Sequence, residues 1–233
     1  MLRVPRTGER SRHFLFEVAI VVIGVLIALV ANEVVQARDW ASQVGDARQT
    51  MDEQLYDMRI YMLERIKVSA CIARRLDQLD AEIDKERVGP VNLYLGAPYR
   101  PFQSSSWEAA SASGAIAHFD PGSRSVYANL FGFGQRIQKL NEDEFDSWNS
   151  VRTIQNHPQM DSISRDRLAA AISAARSENR MLTVAARQWL DQSLTIDLRL
   201  KPDDRRINAA PVKCLRIDQV RPDRHMVGDI FYA

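Results

Sequence analysis

Hydrophobic and polar positions divide this chain into one solid apolar block and a series of amphipathic stretches. The block is residues 14–35, FLFEVAIVVIGVLIALVANEVV, in which fifteen of 22 residues are Phe, Leu, Ile or Val. After it the pattern changes to single apolar positions three and four residues apart: Trp40, Val44, Ala47, Met51, Leu55, Met58, Met62, Ile66, Ala70, Ala73, Leu76, Leu79 and Ile83. That spacing predicts one long helix over 33–86 with a single buried stripe and charged runs on its other faces. Nothing between Val35 and Ala47 breaks a helix except Gly45, so the apolar block is expected to run straight into it.

Gly89 and Pro90 stop this helix, and residues 88–104, with three prolines and two glycines, read as a loop. A short helix is expected from Ser105 or Ser106, with Glu108 placed for a capping box on Ser105, ending by Gly114. Asp120 followed by Pro121 is a helix start, an N-cap with proline in the first turn. The stripe that follows is Val126, Leu130, Phe133, Ile137, Leu140, Phe145, Trp148 and Val151, with Gly132 and Gly134 marking close packing or a bend. His157 and Pro158 mark a connection. A last long helix begins near Asp161 to Ser164, with the stripe Leu168, Ile172, Ala175, Leu182, Ala185, Trp189 and Leu194. The tail from Arg205 is irregular, with one short strand expected at 212–217. The pattern predicts an all-α chain: an N-terminal transmembrane helix continuing into an antiparallel helical bundle, with an irregular C-terminal tail. The divisions are a basic tail at 1–13, a span at 14–35, a bundle at 36–200 and a segment packed on the bundle at 201–233.

A helix of 22 residues is long enough for a hydrocarbon core of about 30 Å at 1.5 Å per residue. Its apolar side chains outweigh the few kcal/mol that Glu17, Asn32 and Glu33 would cost, at roughly −0.3 to −0.6 kcal/mol each. Residues 1–13 carry four arginines, Arg3, Arg6, Arg10 and Arg12, against Glu9. The positive-inside bias then places the amino terminus in the cytoplasm and the bulk of the chain in the periplasm of a bacterial inner membrane. A cleaved signal peptide shares the basic start and apolar middle, with Leu29-Val30-Ala31 as a cleavage site, but helical sequence continues past Ala31 without a break. A type IV pilin shares the early glutamate, but Arg12 stands where a small residue is required before the cut.

Composition adds limits. About 198 residues lie beyond Val35, enough for a domain with its own core. Net charge is +1 in a chain that is 26% charged, so no basic field points to nucleic acid. Ten Gly and nine Pro suit helices better than a sandwich or barrel. The two cysteines, Cys71 and Cys214, either pair in an oxidising compartment or remain two buried thiols. Neither has a Cys or His neighbour at metal-ligand spacing.

The candidate for a specific role is a face of the span. Glu17, Val21, Gly24, Ala28 and Ala31 recur at steps of four, three, four and three. Gly24 and Ala28 form a small-xxx-small pair that lets another helix backbone approach. Glu17 on that side is aimed at the neighbour or at the cytoplasmic headgroups. His118 with Asp120, and His157 with Asp161, supply two metal ligands at most, and capping explains them better. The serines of 104–113 lack a nucleophile-elbow motif, and no phosphate-binding glycine loop is present. Trp40, Trp107, Trp148 and Trp189 read as core rather than as a ligand cage. No cofactor and no metal site is expected.

Residues 17–29, EVAIVVIGVLIAL, resemble the amino-terminal span of an uncharacterised family of bacterial single-pass membrane proteins, a domain of unknown function. A second block, Trp107-Glu108 to Ser113-Gly114 and then 130–141, is similar to that family's Trp, Ser-Gly and helix pattern. The resemblance implies a membrane-anchored, mainly helical exported region and carries no activity. The expectation is a non-enzymatic, single-pass accessory or scaffold subunit. Its span would meet lipid and an integral membrane partner, or a second copy. The alternative is a periplasmic ligand-binding or sensory bundle acting through a separate partner.

Overall fold

The computed structural model describes residues 7–85, 99–153, 160–196 and 214. The expected connections at 88–98 and 157–158, the strand at 212–217 except for Cys214, and the rest of the tail lie outside them. Among the described residues the chain is all-α. Helix α1 (Thr7–Ile83) runs unbroken for 77 residues, about 115 Å at 1.5 Å per residue. Every side chain from 14 to 39 is exposed, and burial begins at Trp40 and becomes complete at Met51. One helix thus crosses both expected divisions, 14–35 and the start of the bundle, and its first part is long and apolar enough to cross a membrane.

Helix α2 (Ser105–Ala112), a 3-10 turn (Ala115–His118), α3 (Pro121–Arg152) and α4 (Ser162–Ser193) complete the fold. The Asp120 carboxylate accepts from the Ser123 N–H at 2.8 Å, and Pro121 occupies the first turn. Asp161 caps α4 in the same way, through the Ser164 N–H at 2.7 Å. The start of α2 differs from the expected capping box. Its N-cap is Ser104, and the Ser106 N–H is met by the Gln54 side chain of α1 at 3.1 Å. The long helix therefore supplies the acceptor that local sequence does not.

Contacts between the helices set their directions. Arg48 reaches Ser123, Asp52 meets Tyr127 and Arg65 meets Glu144, so α1 and α3 run parallel. Trp189 donates to the Leu130 carbonyl and Ser147 to Glu178, so α4 is antiparallel to α3. Asn179 meets Ser69, and Arg176 meets Asp77, so α4 is antiparallel to α1 as well. α4 packs against both, while α2 and the 3-10 turn lie on α1. Residues 99–102 form a strap between α1 and α3. Gln138 receives the Phe102 N–H at 2.7 Å and donates to the Tyr99 hydroxyl, Asn141 donates to the Arg100 carbonyl, and Arg100 holds Glu64.

The core falls into two apolar clusters. The one nearer the span holds Met51, Leu55, Met58, Met62, Leu130, Phe131, Ile137, Leu182 and Trp189. The distal one holds Val68, Ile72, Leu76, Leu79, Trp148, Val151, Leu168 and Ile172. Several expected stripe positions lie elsewhere. Ala70 is exposed and Ile66 and Ala73 are only half-buried, because the buried stripe of α1 passes through Arg65, Val68 and Ile72. Phe145 on α3 and Leu194, the residue just past the end of α4, are exposed, the latter by 69%. Cys71 and Cys214 are joined by a disulfide with Cα atoms 5.2 Å apart, and Cys214 packs on the distal cluster. Closing a separation of 143 residues restricts the unfolded chain by about 5 kcal/mol in the loop-entropy account.

Gly134 and Gly132 test the packing of the strap. A Cβ on Gly134 would land inside the Phe102 ring, which is held by its backbone bond to Gln138 and by packing near Phe131. Gly132 has no atom within 4 Å of that position. Gly134→Ala should cost roughly 1–3 kcal/mol by overpacking. Gly132→Ala should gain about 0.5–1 kcal/mol of helix propensity. Urea unfolding of the two variants in detergent checks the opposite signs.

Candidate functional site

The five residues predicted to share a face do lie on one side of α1. At 100° per residue Glu17, Val21, Gly24, Ala28 and Ala31 fall within an arc of roughly 80°. All five are exposed, and nothing lies within 4 Å of the Cβ position of Gly24. A second helix backbone has room to lie against this groove of small residues.

A second arrangement, which the sequence pattern does not reveal, lies between the two apolar clusters. Arg65, Glu144 and Asn179 occupy one level of the three long helices, each at a position its helix turns inward. The Arg65 guanidinium makes two parallel bonds to Glu144, at 2.6 and 2.5 Å, and a third to the Asn179 amide oxygen at 2.9 Å. Asn179 in turn donates to the Ser69 carbonyl at 3.1 Å. The Arg65 and Glu144 side chains are 6% and 3% exposed. Beside this triad, Arg100 makes a second two-pronged pair with Glu64 at 2.8 and 2.9 Å, with its guanidinium near the Tyr61 ring. Arg65 Nε is buried without a protein partner, and a void of about 10 Å³ lined by Glu64, Arg65, Arg100 and Asn141 adjoins it. That is room for one water.

Paired charges of this kind do particular things. Both Glu144 oxygens and the Asn179 amide are consumed by bonds inside the layer, so the triad holds helices together rather than presenting a reactive group. A carboxylate buried with its guanidinium is held in place by the cost of separating them in low dielectric. Neighbouring carboxylates feel the same surroundings. Burial raises the Glu178 carboxyl above its ordinary value, Ser147 opposes this, and Glu144 adds to it. Nearer the span, burial raises Asp52, against the lowering effect of its bond from the Tyr127 hydroxyl at 2.5 Å. Burial alone pulls Arg75 down to about 10.

The other candidates are used locally. His118 stacks on Trp40, with ring centroids 3.9 Å apart and planes 20° apart, while Asp120 caps α3 and lies 3.6 Å from Arg48. Hydrogen bonds from Ser123 hold Asp120 below the usual carboxylate range. Trp148 and Trp189 are fully buried, and Trp107 stacks on Phe131. Ser106 is tied to Gln54. Among the described residues no three His, Cys, Asp or Glu side chains stand close enough to hold a metal.

What marks the missed layer is one polar residue standing in each stripe, with complementary chemistry across the three. Comparison of the chain with protein-family models, with curated proteins and with solved structures finds no match.

Removing one member of the layer should be far worse than removing all three. Arg65→Met leaves Glu144 buried without its counter-charge and should cost roughly 3–5 kcal/mol. The triple variant Arg65→Met, Glu144→Leu, Asn179→Leu should be neutral or more stable by about 1–4 kcal/mol. Chemical unfolding of the two full-length variants in detergent measures both.

Proposed function

We propose that this chain is a single-pass, membrane-anchored and non-catalytic accessory or scaffold subunit of a larger bacterial inner-membrane complex, respiratory, photosynthetic, transport or envelope. The amino terminus lies in the cytoplasm, residues 14–35 cross the bilayer, and the bundle stands in the periplasm. The observation that carries this reading is the uncovered apolar length of α1, with its groove of small residues at Gly24 and Ala28, continuing unbroken into a packed bundle. Such a helix offers a partner in lipid a close backbone approach. The basic tail supports the orientation, and the resemblance of residues 17–29 to a single-pass family supports the topology. The void at the polar layer admits a single water, and the larger hollows, of about 520 and 430 Å³, are open clefts between α3 and α4 rather than enclosed cavities.

Extraction from membranes in a mild detergent tests the reading. An integral membrane partner should co-purify with the wild-type chain. Gly24→Leu should lower its recovery several-fold, while Val22→Leu, on the opposite side of α1, should leave it unchanged. A monodisperse monomer, with no partner at any detergent concentration that preserves the fold, overturns the proposal.

A further inference from the structure

The near end of the bundle carries a surface that the holding role does not use. Residues 109–119, AASASGAIAHF, contain no Asp, Glu, Lys or Arg, in a chain that is 26% charged. They form the end of α2, the turn at Gly114 and the 3-10 turn. Ser111, Ala112, Ser113, Ala117 and His118 are exposed. This lobe is fixed to α1 at Trp40. The His118 ring lies flat on the indole at 3.9 Å, and Gly114, with φ +82°, brings the turn beside the same ring.

The height of Trp40 is set by α1 itself. The helix is unbroken, so five residues beyond Val35 correspond to about 7.5 Å. The headgroup region extends roughly 5–8 Å past the hydrocarbon core on each side. Tryptophan is enriched at that depth, where its ring is apolar and its N–H is wet. Charge on the lobe's side resumes with Arg48 and its neighbour Asp120. The Arg48 backbone is thirteen residues past Val35, about 20 Å out, and its side chain reaches down to Asp120, which lies within about 7 Å of His118 along the chain. Arg38 and Asp39 immediately precede Trp40 on α1, at a depth where headgroups meet both signs.

We propose that this uncharged lobe rests in the lipid headgroup layer of the leaflet from which α1 emerges. Trp40 and His118 form its contact, and the Ser111 hydroxyl faces phosphate and glycerol oxygens, while the Ser113 hydroxyl is spent on the Ala110 carbonyl. The bundle is thereby seated on the membrane rather than held away from it on a stalk. The proposal rests on the reading of 14–35 as a span, and the experiment separates the two.

Three full-length variants, Ile27→Cys, Ala117→Cys and Ala81→Cys, each add one thiol to a chain whose own cysteines are bonded. Each is spin-labelled and reconstituted in phosphatidylethanolamine–phosphatidylglycerol vesicles, with a water-soluble nickel chelate on both sides of the bilayer. The label at 27 should collide with oxygen and not with nickel. The label at 117 should lose most of the nickel collisions seen at 81, which lies on the exposed face of distal α1. If 27 reads as lipid and 117 matches 81, the lobe stands in water and the seating is wrong while the span survives. If 27 is reached by nickel, the span fails and the seating with it.

Discussion

A guanidinium with 6% of its side chain exposed cannot stand alone, and most of the bundle's geometry follows from how Arg65 is satisfied. Its two bonds to Glu144 and its third to Asn179 require α1, α3 and α4 to present their inward faces at one height. Sliding α4 by one turn, 5.4 Å, would break the Asn179 bonds to both Arg65 and Ser69. Apolar contacts above and below tolerate such a slip far better, because Leu and Ala recur at the same spacing. The layer thus sets the register, and the two clusters supply most of the burial. Buried polar groups elsewhere are known to fix alignment in this way.

Register matters here because α1 carries two kinds of surface. Its first part presents apolar side chains outward on all faces, as a helix in lipid does, and its second part hides a narrow stripe. Between them only one turn or so separates Val35 from Trp40, the first side chain to be partly covered. The orientation of the bundle about α1 is fixed by that short passage, since no loop intervenes to let it swivel. The face that carries Glu17 and Gly24 therefore holds a set angle to the strap, to α2 and to the lobe at Trp40.

Much of this was legible in the residues. The continuity of α1 follows from spacing of three and four, and the starts at Asp120 and Asp161 follow from their caps; the short helix stands where expected, with Gln54 in place of the capping box. The phase of the stripes was harder. After Met62 the next inward position is Arg65 or Ile66 by spacing alone, and apolarity selects Ile66, then Ala70 and Ala73. The structure turns Arg65, Val68 and Ile72 inward instead. The same thing happens on α3, where Glu144 ends a run of Asn141, Glu142 and Asp143 that reads as a solvated face. A charge in a core position looks like a surface charge until its partner on another helix is known, and that partner is 79 residues away. The strap was invisible for a related reason. Tyr99, Arg100 and Phe102 lie in a proline-rich stretch with no period, and their place depends on Gln138, Asn141 and Glu64 together.

The bridge between Cys71 and Cys214 joins one end of α1 to a point beyond α4, so α2, α3 and α4 all belong to a covalent ring. Residues 1–70 form a stem that enters this ring at Cys71. A protease that severs one peptide bond anywhere within the ring opens it without releasing a fragment, because both new ends remain tethered to the stem. A cut in the stem, a second cut in the ring, or a cut beyond Cys214 is needed to release a fragment. The helices are thus secured twice, once by the chain and once by sulfur.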